Sequence, residues 1–137
     1  MRSVETHSEE ETSEAGRAFA VELHAGDVVL IHGLLGAGKT AFVRGLAAGL
    51  GAEPESVSSP TFTILQEYAG TPTLYHADLY RLSPTETADL GLDEIAVEGV
   101  LAVEWPDRWS DAPTSAVSVT IDDRGGDDRL VVIRRDN

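Results

Sequence analysis

Along this chain of 137 residues, apolar positions follow helical spacing in some segments and strand spacing in others. Ala15, Phe19 and Leu23 recur at intervals of four residues, which predicts an amphipathic helix over Glu9–Leu23. The letters "SEEE" at the start of this segment have the form of a capping box that begins at Ser8. The first element predicted is therefore a helix with an apolar face.

The next segment predicts a strand, a glycine-rich loop and a second helix in direct succession. "DVVLIHG" contains a short apolar run, which predicts a buried strand over Val28–His32. "KTAFVRGLAAGLG" has helical periodicity over Lys39–Leu50, and Gly51 suits the position that follows the end of a helix.

The rest of the chain alternates between strand and helix patterns. Strands are predicted in "TFTILQEY", "LYHAD" and "VLAVE", and the last is apolar enough for a central strand buried on both faces. "SPTE" is a second capping box, at Ser83–Glu86, and it predicts a short helix, while "LDEIAVEG" predicts another. "SAVSVTID" and "RLVVIRR" predict two closing strands joined by a hairpin.

No repeat or linker divides this succession of elements. We therefore predict one α/β domain over residues 1–137. Its mixed, mainly parallel central sheet is expected to be flanked by helices and completed by antiparallel strands.

Composition narrows the classes of function. Cysteine is absent, which excludes disulfides, thiolate zinc sites and thiol nucleophiles. The 24 acidic and 10 basic residues give a net charge of −14, so the surface is expected to repel nucleic acid unless it contains a local basic patch. The sequence shows neither a signal-peptide pattern nor the ~18 consecutive apolar residues that a membrane span needs, and we expect a cytoplasmic protein. Its single lysine, Lys39, lies at the end of the glycine-rich loop.

That loop carries the clearest chemical signal. "GLLGAGKT" matches the phosphate-binding motif G-x-x-x-x-G-K-[ST] at Gly33, Gly38, Lys39 and Thr40. Glycines let backbone N–H groups point at phosphate oxygens, and the helix N-terminus adds partial positive charge. Lys39 would reach the β- and γ-phosphates, and the Thr40 hydroxyl would bind Mg²⁺. A glycine-rich turn is the alternative, but the flanking strand and helix favour a P-loop NTPase fold.

A P-loop also requires an acid at the end of a neighbouring strand. Glu104 ends the apolar run "VLAV", and Asp78 ends "LYHAD". Both acids are candidates, one near the metal ion and one near the attacking water. A solvated carboxylate for Glu104 and a helix cap for Asp78 are the alternatives.

Two further segments have less certain roles. "SSPTFT" places Thr61 in a loop before a strand, where it either senses the γ-phosphate or belongs to an ordinary turn. Trp105 follows Glu104, and on the residues alone a tryptophan of the core or the sheet edge is favoured over a role at the site.

Taken together, "GLLGAGKT", "SSPTFTILQEY", "LYHADLYRL" and "VEWPDRW" resemble the TsaE (YjeE) family in order and spacing. The resemblance implies a small P-loop ATPase that takes part in threonylcarbamoyladenosine modification of tRNA, with ATP and Mg²⁺ as cofactors. It implies that Lys39, Asp78 and Glu104 are catalytic, and that Thr40 and Glu104 bind Mg²⁺. The residues implied to bind the nucleotide are Gly33, Gly36, Ala37, Gly38, Lys39, Thr40 and Ala41, with Glu9 and Thr12 close to the adenine.

The resemblance also places Thr61 in a switch-like loop and gives Trp105 a role beyond the core. Family loops commonly read G-D-L-G-A-G-K-T, and Leu34 stands here in place of the Asp. Phosphate binding is expected to survive this change, whereas any role of that acid with a partner or in tuning hydrolysis is in doubt.

Three functions are compatible with these residues. The resemblance implies an ATPase that acts on the TsaB and TsaD proteins and reaches tRNA only through them. A small-molecule P-loop kinase is the alternative, although its usual arginine-rich lid is not evident. A nucleotide-binding regulatory subunit with negligible turnover is the third, and the two candidate acids argue mildly against it.

Overall fold

A computed structural model of the chain describes residues 1–34, 36–53 and 64–135. Its elements in chain order are β1 (Arg2–Thr6), α1 (Glu9–Ala20), β2 (Val28–His32), α2 (Lys39–Gly49), β3 (Leu65–Tyr68), β4 (Leu74–Asp78), α3 (Pro84–Ala88), α4 (Leu92–Ala96), β5 (Val100–Glu104), a 3₁₀-helix (Pro106–Arg108), β6 (Val117–Gly125) and β7 (Asp128–Arg135). Every helix in the described ranges is too short or too polar to cross a lipid bilayer.

The strands form one sheet in the order β1-β7-β6-β2-β5-β4-β3. The four central strands, β6, β2, β5 and β4, are parallel to one another. The outer strands β1, β7 and β3 pair antiparallel. The predicted α/β fold with a mixed sheet is therefore confirmed, and its parallel pairs lie in the centre, where the carboxyl ends of β2, β4 and β5 share one edge.

Helices cover both faces of this sheet. α1 and α2 pack on the face that carries Ile31, and Phe42 of α2 is fully buried against it. The opposite face carries Val28 and packs against α4, through Leu92, and against Trp109. Successive residues of β2 therefore serve two different cores, as expected for a central strand.

α1 and α2 approach each other closely because glycines remove side chains at their contact. A Cβ atom on Gly45 would lie 1.8 Å from the carbonyl oxygen of Ser13, and one on Gly16 would lie 2.3 Å from that of Phe42. The backbones of the two helices are thus in direct contact. This contact fixes α1 against the helix that begins at the glycine-rich loop.

The first helix differs from its prediction at both ends. α1 ends at Ala20, since the next amides bond three residues back, with Leu23 N–H donating to the Ala20 carbonyl at 3.0 Å. This tighter turn keeps Leu23 buried without continuing the helix. At the start, the Ser8 side chain accepts from the Glu11 amide, but the Glu11 carboxylate accepts from the His7 amide, so the predicted reciprocal box is only half formed.

The remaining elements follow the predictions closely. α2 ends one residue early, at Gly49, and Gly51 takes the expected left-handed backbone conformation, with φ 83°. The capping box at Ser83 is complete. β3 begins at Leu65, and residues 61–63 of its predicted strand lie outside the described residues.

Candidate nucleotide-binding site

The glycine-rich loop joins β2 to α2 at the edge where the parallel strands end. Gly36 and Gly38 adopt positive φ angles of 80° and 105°, which favour glycine. Gly38 caps α2, and the first helical bond inside α2 runs from the Phe42 amide to the Gly38 carbonyl. The N–H groups of the first turn therefore lack partners within the helix and are available to an anion.

Lys39 is held over this loop by two contacts. Its Nζ donates to the Gly33 carbonyl at 2.6 Å and lies 3.9 Å from the centroid of the Trp105 ring. The residue is only 5% exposed. Burial lowers the pKa of Lys39 below its ordinary value, and the nearby carboxylates of Glu104 and Asp78 partly oppose this.

The two candidate acids are direct neighbours in the sheet. Asp78 and Glu104 pair in the register of β4 and β5, so both carboxylates lie at the edge where the loop begins. Burial raises the pKa of Asp78, while a hydrogen bond from the Tyr80 amide opposes the rise. A partly buried acid with a shifted pKa beside a lysine is typical of functional sites, and the catalytic and metal-binding roles of Asp78 and Glu104 stay predictions.

Glu104 has a buried partner that the sequence reasoning missed. The His76 Nε2 lies 2.5 Å from the Glu104 Oε2, and His76 is fully buried whereas Glu104 is 3% exposed. His76 lies two positions before Asp78 on β4, and the two side chains are on the same face of the sheet. Its signal in the sequence is a polar residue inside an otherwise apolar strand, two positions before a candidate acid.

Trp105 adopts a left-handed backbone conformation with φ 58°, directly after β5. Its ring centroid lies 4.9 Å from that of Tyr80, at an interplanar angle of 46°. It is half-buried and faces Lys39. Trp105 packs against the second hydrophobic core, as the interpretation of a core or edge tryptophan predicts, and its ring also contacts Lys39 of the loop.

A cleft of about 550 Å³ opens beside the loop. Leu34 and Ala37 of the loop lie on one side, and Trp105 and Asp107 follow β5 on another. The end of β6 contributes Asp122 and neighbouring residues. The loop is therefore open to a ligand larger than a phosphate group.

The other predicted residues fall into three groups. Thr40 and Ala41 occupy the first turn of α2, where their amides can meet a phosphate. Thr12 is buried beside the loop, and its hydroxyl is 2.7 Å from that of Thr6, while Glu9 is exposed in the first turn of α1. Closeness of Glu9 and Thr12 to the adenine stays a prediction, and Thr61 lies outside the described residues.

The donor atoms at this edge fit a magnesium ion. A hydroxyl from Thr40 and a carboxylate from Glu104 are hard oxygen ligands, and Mg²⁺ usually combines one or two such ligands with water and phosphate oxygens. In the described ranges, no cluster of three or more His, Asp or Glu side chains is placed to hold a metal ion. These residues therefore fit a metal ion that the nucleotide would share.

A second missed residue lies behind the loop. Arg129 of β7 donates from Nε to the Ala37 carbonyl at 2.9 Å and from Nη2 to the Gly36 carbonyl at 3.2 Å. Its sequence context, "RLVVIRR", shows only an edge of a predicted strand. The contact joins the C-terminal hairpin to the loop.

Known proteins resemble this chain over nearly its whole length. The family model described as "Threonylcarbamoyl adenosine biosynthesis protein TsaE" matches residues 6–131. The tRNA threonylcarbamoyladenosine biosynthesis protein TsaE of Treponema pallidum (strain Nichols) is 43% identical over 124 residues, which cover 88% of this chain and 90% of that protein. The protein of the same name from Bacillus subtilis (strain 168) is 42% identical over 129 residues, 92% of this chain and 80% of that protein.

A solved structure shows the same architecture. The crystal structure of Bacillus subtilis YdiB has a TM-score of 0.81 and 35% sequence identity, and the match covers 98% of this chain and 84% of that one. The structural similarity therefore spans nearly the whole chain.

Proposed function

Because the chain belongs to the TsaE family of threonylcarbamoyladenosine biosynthesis proteins, we propose that it binds ATP with Mg²⁺ and hydrolyses it in tRNA modification. Its proposed partners are TsaB and TsaD, and it reaches tRNA only through them. Turnover is proposed to be slow until those partners bind.

One observation carries this proposal. Lys39, the only lysine of the chain, lies buried at the head of α2, and the carboxylates of Asp78 and Glu104 end neighbouring strands of the same edge. Phosphoryl transfer needs a cation that contacts the phosphate oxygens. It also needs acids that bind the metal ion and orient the attacking water.

Each residue has a distinct proposed part in the chemistry. The loop amides and Lys39 bind and neutralise the phosphates. Thr40 and Glu104 hold Mg²⁺, which when bound neutralises charge on the phosphate oxygens. Asp78 orients the attacking water, and its raised pKa makes its carboxylate a better proton acceptor than an exposed aspartate.

Exposed apolar side chains around the site support the action on a protein partner. Leu34 in the loop is 74% exposed, and Tyr80, which contacts the Trp105 ring, is 43% exposed. Contiguous apolar patches bordered by polar residues mark surfaces that bind proteins, and we propose that Leu34 and Tyr80 contribute to such a surface. The acidic net charge of −14 is compatible with a partner that itself carries the tRNA-binding groups.

Calorimetric titration with ATP and Mg²⁺ tests the binding proposal. We expect Lys39→Ala to weaken ATP binding by about a hundredfold or more, since a charge-assisted contact to phosphate is lost. Thermal melting without nucleotide serves as the control that the variant is folded. Unchanged affinity in folded Lys39→Ala would contradict the proposal.

Phosphate release with and without TsaB and TsaD tests the activity. Stimulation by the pair supports a partner-coupled ATPase, whereas transfer of labelled phosphate to a small hydroxyl compound would instead indicate the kinase. Glu104→Ala is expected to remove metal-dependent turnover while ATP still binds. If the Mg²⁺ dependence of Glu104→Ala matched that of the wild type, its assignment as a metal ligand would be wrong.

A further inference from the structure

Carbonyl oxygens from two segments of the backbone surround the guanidinium group of Arg129. Nε and Nη2 donate to the carbonyls of Ala37 and Gly36 in the P-loop. Nη1 donates to the carbonyls of Gly126 and Asp128 in the hairpin, at 2.8 and 2.9 Å. The Arg129 side chain is 15% exposed, and its Nε bond to Ala37 is the most shielded of these bonds.

A carboxylate holds this guanidinium in place. Asp123 Oδ1 accepts from Arg129 Nη1 at 3.2 Å and also from the Gly125 amide at 2.9 Å. Gly125 ends β6 and Gly126 begins the turn to β7, and both have positive φ angles, of 106° and 54°. The hairpin turn and the loop are therefore joined through one side chain.

The bonds to Gly36 and Ala37 fix two consecutive peptide planes of the loop. In a trans peptide, the carbonyl and the following N–H point in opposite directions. With the Ala37 carbonyl directed at Arg129, the Gly38 N–H points to the other side of the loop. The Ala37 N–H, set in the same way by the Gly36 carbonyl, donates to the Leu34 carbonyl at 3.1 Å and closes the turn.

We propose that Arg129 is a positioning residue for the phosphate site: it holds the peptide planes around Ala37 so that the Gly38 amide faces the phosphates. The inference rests on the proposed function, because it concerns the same loop and the same ligand. Arg129 acts from behind the loop, while Lys39 provides the cation on the ligand side. A lysine at position 129 would keep the charge but lack the planar fork that reaches both carbonyls.

The test compares Arg129→Lys with the wild type and with Arg134→Lys, an exposed arginine of the same strand. We expect Arg129→Lys to bind ATP about tenfold to a hundredfold more weakly, while Arg134→Lys binds as the wild type does. In turnover assays KM should rise while kcat changes little, because Asp78 and Glu104 are untouched. A merely structural role would lower stability without this separation.

A second readout needs no nucleotide. Backbone amide NMR signals of residues 36–38 in the free protein should shift in Arg129→Lys and stay in place in Arg134→Lys. Unshifted loop signals, or ATP affinity equal to the wild type, would overturn the inference. Should Arg129→Lys melt well below the wild type, Asp123→Asn replaces it, with an expected loss of about threefold to tenfold in ATP affinity, and wild-type affinity there would overturn the inference equally.

The outcomes separate this inference from the proposed function. Wild-type protein that fails to bind ATP would overturn both. If the wild type binds ATP, Lys39→Ala does not, and folded Arg129→Lys binds ATP as the wild type does, only the role of Arg129 would be overturned.

Discussion

Among single residues, Leu34 is the one that departs from the common family loop, where an Asp stands at this position. Its side chain is 74% exposed, and the loop is proposed to contact phosphate through backbone amides rather than through this side chain. We therefore expect Leu34→Asp to change ATP affinity by no more than about threefold, since an exposed added charge is screened by salt. Titration calorimetry at physiological salt measures this, and a tenfold loss would mean that the side chain at position 34 reaches the ligand.

Two histidines, His7 and His32, should titrate on opposite sides of the ordinary histidine value of about 6.5. A hydrogen bond to Asp128, at 2.9 Å, raises the pKa of His7. Partial burial lowers the pKa of His32, with Asp107 opposing and Lys39 adding to the effect. NMR titration of the imidazole protons should show both directions, and Asp128→Asn should return only His7 towards its ordinary value.

The sign of each shift gives its effect on stability. The raised pKa of His7 stabilises the fold below the unfolded value near 6.5, and that contribution is lost as pH rises through the folded value. The lowered pKa of His32 has the reverse effect, because protonation at acid pH favours the unfolded chain. A His7 that titrated at or below its ordinary value would contradict the ion pair with Asp128.

Candidate site residues were predictable from the sequence where a short local motif identifies them. The letters of the loop mark Lys39, and an acid after an apolar run marks Glu104. His76 and Arg129 escaped because their partners lie 28 and 92 positions away in the chain. Only the sheet order brings those partners together, and spacing within one segment does not reveal that order.

At the scale of elements, the contact between α1 and α2 predicts that a glycine-to-alanine change within a helix lowers stability rather than raising it. Alanine normally stabilises an exposed helix by about 1 kcal/mol relative to glycine. At position 45 its Cβ would lie 1.8 Å from the Ser13 carbonyl, so Gly45→Ala should destabilise the protein by about 1–3 kcal/mol. Urea denaturation measures this, with Ala48→Gly on the same helix showing the ordinary propensity cost, and a gain in stability from Gly45→Ala would contradict the close packing.

Most elements were predictable because their apolar spacing or capping residues are local. β1 was not, since four of its five residues are exposed and its sequence "RSVET" shows no apolar stripe. It pairs with β7, more than a hundred residues later, and this pairing gives it its strand conformation. The early end of α1 was also hidden, because Leu23 is buried whether the helix continues or tightens.

At the scale of the whole molecule, charge predicts how the protein meets tRNA. Its 24 acidic and 10 basic residues repel a polyanion, and a nucleic-acid surface would need clustered basic residues to release counterions. We expect the isolated protein to show no binding to labelled tRNA at micromolar concentration and about 0.15 M salt, where even non-specific sites of basic proteins bind weakly. Fluorescence anisotropy measures this, and the same assay with TsaB and TsaD added is the comparison. Tight binding by the protein alone would contradict the proposed indirect contact.

The place of β7 between β1 and β6 has a consequence for the order of synthesis. β1 is synthesised more than a hundred residues before β7, the strand with which it pairs. The P-loop likewise emerges 92 residues before the arginine that grips it, a delay of roughly 5–20 s at bacterial elongation rates of about 5–20 residues per second. If Arg129 sets the loop as proposed, a nascent chain contains the glycine-rich loop before the backbone behind it is fixed, and we expect ATP binding only after β7 has been synthesised.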